Sequence, residues 1–483
     1  MIDALQRHNP VDTSPSVRVR FAPSPTGHLH IGGLRAALFN WLFARHMGGL
    51  FLVRIEDTDT ERSLPIYTES IIESLAWCTL EADEPLVFQS ARREEHVRIA
   101  HDLVARGTAY RCYCTAQELQ ARLGLSAASG GYHHYDGACR DVQERVGQPY
   151  VIRCKVPQDR PSIVVRDLIH GEISFPIQTI DDFIIVRSDG SPMYNFVVVV
   201  DDAYMRISHV IRGDEHLVNT PRQILLYEAC GYAIPAFAHV PLILAPDGSK
   251  LSKRFGATAV TDYKKAGYVA DALCNYLVRL GWSHGDQEVF SRDEMIRLFT
   301  LEHVNKSGAV FDQAKLLWLN QLYCKQLAAP QLYALMVRDV DTTLPETLAG
   351  WPDEILYRII ELYKERIKTL VELRDVIVQL HVLPSLVNHP YVGAMSPAQW
   401  QVLELFVERV AQSDYTRDML EILAKELCRQ VSVKLQDFAQ PVRLALTGVL
   451  TAPGIYDLLL ALGKEESIRR IKAFIDLRVL HCQ

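Results

Sequence analysis

Residues 17–55 read VRVRFAPSPTGHLHIGGLRAALFNWLFARHMGGLFLVRI, and this stretch decides the fold class. VRVRFA at 17–22 alternates and is rich in β-formers, which predicts a strand. A loop, PSPTGHLHIGG, follows at 23–33. The run LRAALFNWLFARHMGG at 34–49 predicts a helix with a buried face, closed by glycine. Leu34, Leu38 and Leu42 form one stripe of it, with Phe39 and Phe43 beside them. LFLVRI at 50–55 is a second strand. Strand, loop, helix, strand is the βαβ beginning of a doubly wound sheet.

The pattern continues downstream. FVVVVDD (196–202) and ISHVIRG (207–213) read as strands, and Thr220-Pro221 reads as a helix start with threonine at the N-cap. That helix ends at Gly231, and HVPLILAPDG (239–248) reads as a further strand and a turn. Between these pieces, 105–195 carries CYC, a Gly/Ser/His-rich loop and short strand-like runs, the order expected of an insertion splitting one sheet domain. Only 5 of the 26 glycines fall in 311–483, so turns thin out there and the tail reads as helical. DEILYRIIELYKERIKTLVELRDVIVQL (353–380) has helical period, with Ile355, Ile359, Leu362 and Tyr363 on one side, and 401–430 behaves likewise. Pro384, Pro390 and Pro397 suggest a linker.

Composition sets the outer limits. The 483 residues correspond to about three domains. A net charge of −7 excludes a basic coat for nonspecific nucleic-acid binding, but not a local basic groove. Ten scattered cysteines exclude a disulfide scaffold and fit a reducing, cytoplasmic setting. No apolar run approaches the roughly 18–20 residues of a membrane span. MIDALQRHNPVDTSPS at 1–16 lacks the profile of a secretory signal and is expected to be a polar tail.

Two segments carry chemistry. The first is the loop from Arg20 through Ser24 and Gly27 to His30-Ile31-Gly32-Gly33. A loop from the first strand to a helix opens at the carboxyl edge of the sheet, where ligands bind, and the helix N-terminus favours anions. Its spacing matches neither GxGxxG nor GxxxxGK[ST]. The second is Lys250-Leu-Ser252-Lys253-Arg254, three cations within five residues after a turn. Mobile ammonium groups can follow the charge that develops on a leaving pyrophosphate. No Ser/His/Asp or Cys/His set stands out as a covalent nucleophile.

Together these blocks resemble the class I aminoacyl-tRNA synthetases. His30–Gly33 corresponds to the HIGH motif and Lys250–Arg254 to KMSKS, ending in glycine and arginine as the glutamyl branch commonly does. RFAPSPTG, RIEDTD (54–59), DDAYMRISHVIRGDEH (201–216), NTPRQ (219–223), NYLVRLGWS (275–283) and FDQAKLLWLN (311–320) are similar to bacterial glutamyl-tRNA synthetases. The resemblance implies an α/β Rossmann-like catalytic domain split by an α+β insertion, followed by an all-α anticodon-binding region. The implied organisation is 1–16 tail, 17–104 first catalytic half, 105–195 inserted connective and acceptor-binding domain, 196–255 second catalytic half with the KLSKR loop, 256–330 helical stem-contact domain, and 331–483 helical anticodon-binding domain.

The implied reaction joins L-glutamate to tRNA(Glu) through glutamyl-adenylate, with ATP and Mg²⁺; tRNA(Gln) is left open as a second acceptor, and a monomer is expected. The resemblance assigns His30, Gly32, Gly33, Lys250, Ser252, Lys253 and Arg254 to ATP. It assigns Arg20, Ala22, Ser24, Glu56, Tyr194 and Arg212 to glutamate. The arginines suit its side-chain carboxylate, because a planar guanidinium can bind bidentately; Glu56 and Ser24 suit its ammonium. A pocket position near Val198 is apolar here and is expected to offer backbone only. Three thiols, Cys112, Cys114 and Cys139, with Asp141 as a fourth donor, could hold a structural Zn²⁺, with His133 and His134 as rival fourth ligands. Lys364, Arg366 and Lys368 in one helix, and Arg469, Arg470 and Lys472 in another, are candidate phosphate contacts.

A shorter relative that glutamylates a modified tRNA base would lack residues 330–483. A glutaminyl enzyme would have a β-barrel anticodon region. A noncatalytic RNA-binding paralogue would have lost KLSKR or His30.

Overall fold

The computed structural model describes residues 17–59, 61–122, 135–249, 251, 259–382 and 385–481. Lys250, Ser252, Lys253, Arg254, His133, His134, Pro384 and the tail 1–16 lie outside the described residues. The chain divides into two compact units: residues up to Thr261 with Cys274–Asp312, and Asp262–Leu273 with Gln313–Gln483.

The first unit opens as the sequence predicts. Strand β1 (Arg18–Phe21) leads into helix α1 (Ile31–His46) and strand β2 (Leu50–Ile55). Then come α2 (Pro65–Trp77), β3 (Val87–Phe88), α3 (Arg93–Ala105), β4 (Ala109–Cys112), α4 (Ala116–Arg122), β5 (Val151–Cys154), β6 (Ser162–Asp167), β7 (Gly171–Pro176) and β8 (Ile184–Val186). Helix α5 (Tyr194–Tyr204), β9 (His209–Gly213), α6 (Thr220–Cys230) and β10 (Ala236–Val240) complete the core, and a small pair, β11 (Ile243–Leu244) with β12 (Ala309–Val310), lies beyond it.

The main sheet has the order β3-β2-β1-β9-β10-β6-β7. All its neighbours pair in parallel except the β6–β7 hairpin at one edge. The chain turns from one side of the sheet to the other between β1 and β9. That reversal opens a crevice at the carboxyl ends of the two strands. Helix α1 is buried nearly all round; Leu34, Leu38, Phe39, Leu42 and Phe43 are all inside. Each such side chain contributes about 1.5–3 kcal/mol on burial.

Three expectations change. FVVVVDD is helix α5, not a strand. Phe196 to Asp202 are all buried, so no polar face marks the period, and a short buried apolar run does not distinguish the two states. Thr220 is inside α6, with Asn219 at its cap and Gly231 closing it at φ 73°. HVPLILAPDG makes two strands rather than one. The stretch 105–195 is shared between two sheets: β4, β5 and β8 form their own, while β6 and β7 extend the main one.

Among its described residues the second unit contains helices and no strand, the longest being Gln313–Gln326, Pro397–Ala411, Arg417–Gln430 and Lys464–His481. The 353–380 pattern breaks into Asp353–Tyr363 and Leu370–Val382. In the first of these the buried side chains are Leu356, Ile359, Ile360 and Tyr363, so the buried stripe is rotated slightly from the expected one. Lys364, Arg366 and Lys368 therefore sit in the turn between two helices, not in one helix. Lys364 is committed to Glu361 (2.6 Å) and the Leu327 carbonyl (3.2 Å). Arg470 is 2% exposed and bonded to Glu466 and the Leu446 carbonyl, so it is a core brace rather than a phosphate contact. No helix is long and apolar enough to cross a membrane, among the described residues.

Candidate active site

His30 caps α1. Its Nδ1 accepts from the backbone N–H groups of Gly32 (3.1 Å) and Gly33 (3.3 Å), and this places the proton of the neutral ring on Nε2. The approach depends on Gly32; at Gly33 the nearest atom is the tip of the flexible Leu29 side chain. A Cβ at Gly32 would stand 2.9 Å from the His30 ring, and one at Gly33 would stand 2.7 Å from Leu29.

Residues on the carboxyl side of the KLSKR run come back to this cap. Within the run, Leu251 N–H donates to the Ile243 carbonyl at 3.2 Å. After it, Ala259 bridges His30, and Val260 N–H donates to the Leu29 carbonyl at 2.8 Å. Arg35 of α1 braces the same region through the Leu280 (2.5 Å) and Pro241 carbonyls, and its burial lowers its pKa to about 10.

Next to the cap, four charged side chains form a buried chain. Arg20 donates through Nε to Asp202 at 3.0 Å. Arg54, fully buried, donates to the same Asp202 oxygen at 2.5 Å and to Glu56 at 3.1 Å. Asp202 stays ionised: Arg20 and Arg54 hold it below the usual carboxylate range against the opposing effect of burial. Burial pushes Glu56 up, against the pull of Arg54 and Arg20. Among the described residues, Arg20 has no protein partner for its two terminal amino groups.

Arg212 is different. It donates Nε to His239 Nε2 (3.2 Å) and Nη2 to Thr220 Oγ1 (2.8 Å) and the His216 carbonyl (3.4 Å), all neutral groups. Its Nη1 is buried with no hydrogen-bond partner among the described residues. Such an atom costs free energy unless something fills the gap. Tyr194 lies among these groups. Burial raises its pKa to about 12, and it feels the charges of Glu56, Arg212, Arg20 and Arg54 together. Its hydroxyl is 3.2 Å from His216 Nδ1. Burial and the Arg212 charge lower the His216 pKa to about 4, so its ring is neutral near pH 7. Ser24 is exposed and Ala22 half-buried on the loop after β1, and Val198 is buried in α5. The structure thus brings Arg20, Glu56, Tyr194 and Arg212 to one site.

Cys112, Cys114 and Cys139 also come together, with their sulfurs within 4.8 Å of one another. Asp141 does not join them; it is 91% exposed and 3.8 Å from Lys155. The oxygen beside the thiols is that of Tyr135, 3.3 Å from Cys112 Sγ and 3.9 Å from Cys114 Sγ.

The residues matched by the family model "tRNA synthetases class I (E and Q), catalytic domain" are 16–318, and an anticodon binding domain model matches 327–475. A glutamate–tRNA ligase of Thermodesulfovibrio yellowstonii is 45% identical over 95% of this chain and 99% of its own length. One from Geobacter sulfurreducens is 45% identical over 94% and 98%. The chain belongs to the glutamate–tRNA ligase family. A crystal structure of a glutamate tRNA ligase from Elizabethkingia meningosepticum, in complex with its amino acid, superposes with a TM-score of 0.82 at 34% identity, covering 95% of this chain and 99% of that one. Membership in this class I family agrees with the parallel sheet and the helical second unit.

Sequence reasoning missed several residues that hold Arg20, Glu56, Tyr194 and Arg212 in place, namely Arg54, Asp202, His216, His239 and Asp167, and it missed Tyr135 beside the thiols. Arg54, Asp202 and His216 were within reach, since they stand inside RIEDTD and DDAYMRISHVIRGDEH. Nothing local marks Asp167 or Tyr135.

Proposed function

We propose that the protein ligates L-glutamate to tRNA(Glu) in two steps. An oxygen of the glutamate α-carboxylate attacks the α-phosphorus of ATP, the bond to the bridging oxygen breaks, and pyrophosphate leaves. The 2′-hydroxyl of the terminal tRNA ribose then attacks the acyl carbon, and AMP leaves. Two observations about the arginines carry this reading together: a buried Nη1 on Arg212 without a partner among the described residues, and Arg20 near it with no protein partner there for its two terminal amino groups. Two guanidiniums in one pocket suit the side-chain carboxylate of glutamate. Glu56 and Ser24 take the ammonium, Ala22 lines the pocket, and Tyr194 supplies a wall with a hydroxyl.

His30 Nε2 and the backbone at Gly32 and Gly33 serve the triphosphate, and Lys250, Ser252, Lys253 and Arg254 supply charge and hydroxyl to the same group. Positioning and charge neutralisation then supply the rate, without a covalent enzyme nucleophile. Mg²⁺ accompanies the nucleotide and offsets its charge. Residues 105–195 receive the acceptor end, 256–330 the stem and 331–483 the anticodon. The protein works as a cytoplasmic monomer.

Three thiols lie together with the Tyr135 phenol oxygen beside two of them, and we propose Cys112, Cys114, Cys139 and Tyr135 as the holders of one structural Zn²⁺.

The test is aminoacylation of purified tRNA(Glu) and tRNA(Gln) with labelled glutamate and ATP. Charging of tRNA(Glu) is expected, and the tRNA(Gln) arm decides whether the second acceptor is used. Absence of charging on both would overturn the reading. Lys253→Ala is expected to lower pyrophosphate exchange, measured with tRNA present, at an unchanged melting temperature.

A further inference from the structure

We infer that Asp167 and His239 are positioning residues that keep Arg212 charged yet unneutralised, so that only a carboxylate-bearing amino acid satisfies it. The inference rests on the reading of Arg212 as a glutamate ligand and deepens it.

His239 sits on β10, paired in register with Arg212 of β9. Its ring is completely buried. Nδ1 is 2.7 Å from Asp167 Oδ2, and Nε2 is 3.2 Å from Arg212 Nε. Arginine has no acceptor, so Nε2 must accept. The single ring proton is then on Nδ1, and Asp167 takes it. A doubly protonated ring would set donor against donor at Nε2, with two like charges in a buried site. Burial, opposed by the Asp167 hydrogen bond and reinforced by Arg212, lowers the His239 pKa and so favours the neutral ring.

Asp167 is itself fixed. Its Oδ1 accepts from the N–H groups of Ile169 and His170, both at 2.9 Å, and its Oδ2 accepts from His239 N–H at 3.0 Å. Thr220 Oγ1 completes the arrangement, accepting from Arg212 Nη2 at 2.8 Å and lying 3.1 Å from His239 Nε2.

The chemistry follows from which groups are charged. Arg20 and Arg54 are met by Asp202, and Arg54 also by Glu56. Arg212 has no carboxylate within ion-pair distance among the described residues. Asp167 reaches it only through a neutral imidazole. The guanidinium is therefore oriented by hydrogen bonds without being paired. A glutamine side chain would leave its charge uncompensated, and a polar site left unsatisfied discriminates strongly. A direct aspartate partner would orient Arg212 equally well but would remove that preference.

The experiment compares the full chain with His239→Phe, His239→Gln and Thr220→Val in tRNA(Glu) charging. KM is measured for glutamate and for ATP, with glutamine as the competing substrate. Hydrogen bonds to charged groups of this kind correspond to roughly tenfold or more in binding. His239→Phe is expected to raise KM for glutamate about tenfold or more, to leave KM for ATP within about twofold, and to narrow the glutamate-to-glutamine preference. His239→Gln restores an acceptor oxygen near Nε and is expected to recover most of the loss. A structural role alone would lower kcat and melting temperature without rescue by glutamine. If His239→Phe does not fold, Thr220→Val carries the test, with a rise of several-fold in KM for glutamate. Folded variants that charge tRNA with unchanged KM for glutamate overturn the inference. Wild-type protein that charges no tRNA overturns instead the reading on which it rests.

Discussion

Asp202→Asn isolates one charge in the buried chain Arg20–Asp202–Arg54–Glu56. Two guanidiniums and two carboxylates sum to zero, and the amide leaves a net charge of +1 inside the unit. Arg54 and Asp202 are 0% and 2% exposed at their side chains, so water does little to screen the imbalance. Removing one partner of a buried pair costs about 3–5 kcal/mol. For a unit of this size that corresponds to a fall of roughly 6–10 °C in melting temperature, at about 2 °C per kcal/mol. The sign with pH is fixed by the depressed Asp202 pKa. Its stabilisation is fully present above the unfolded value of about 3.9, and is lost as pH falls through the folded value. The gap between wild type and variant is therefore expected to be constant near neutrality and to shrink below about pH 4. Differential scanning calorimetry at several pH values reads both. A shift under about 2 °C at pH 7.5 would refute the view that this chain of charges holds the pocket together.

Three further outcomes are expected. Gly32→Ala pushes its Cβ into the His30 ring and should cost the cap about 1 kcal/mol while lowering pyrophosphate exchange at least tenfold; a variant with wild-type exchange would show that the ring's placement is irrelevant. Cys139→Ser and Tyr135→Phe should each lower zinc content by elemental analysis from about one per chain, the cysteine change more; wild-type protein purified without metal would remove the site. Arg470→Met should destabilise the helical unit by about 1–3 kcal/mol in a melt, yet leave the salt dependence of tRNA binding unchanged; a slope reduced by about one would mark it as a phosphate contact after all.

The beginning of the fold was legible because three signals agree there: alternation in 17–22, helical stripes in 34–43 and glycine at each break. The helix α5 was not, because five apolar residues in a row carry no period and four of them are β-branched valines. The same limit applies to the site. Arg20 and Arg212 stand in blocks that look like a family, but they are met by Asp202 of α5 and His239 of β10, and His239 in turn by Asp167 of β6. Strand order, not spacing, brings Asp167 beside His239. The thiols were visible in CYC, whereas Tyr135 reaches them only through the course of its loop. Arg470 was misread because a buried arginine and a solvated one look alike in a basic run.

Because β6 runs alongside β10, the segment expected to receive the tRNA end is not a detachable module. It supplies two strands, β6 and β7, of the main sheet and, through Asp167, the outermost support of the guanidinium proposed above to select glutamate. Chimaeras that exchange residues 105–195 with a distant relative, in order to redirect the enzyme to another RNA, would also transplant part of the proposed determinant for the amino acid. Cleaner grafting boundaries fall on either side of the β6–β7 hairpin, leaving those two strands with the recipient.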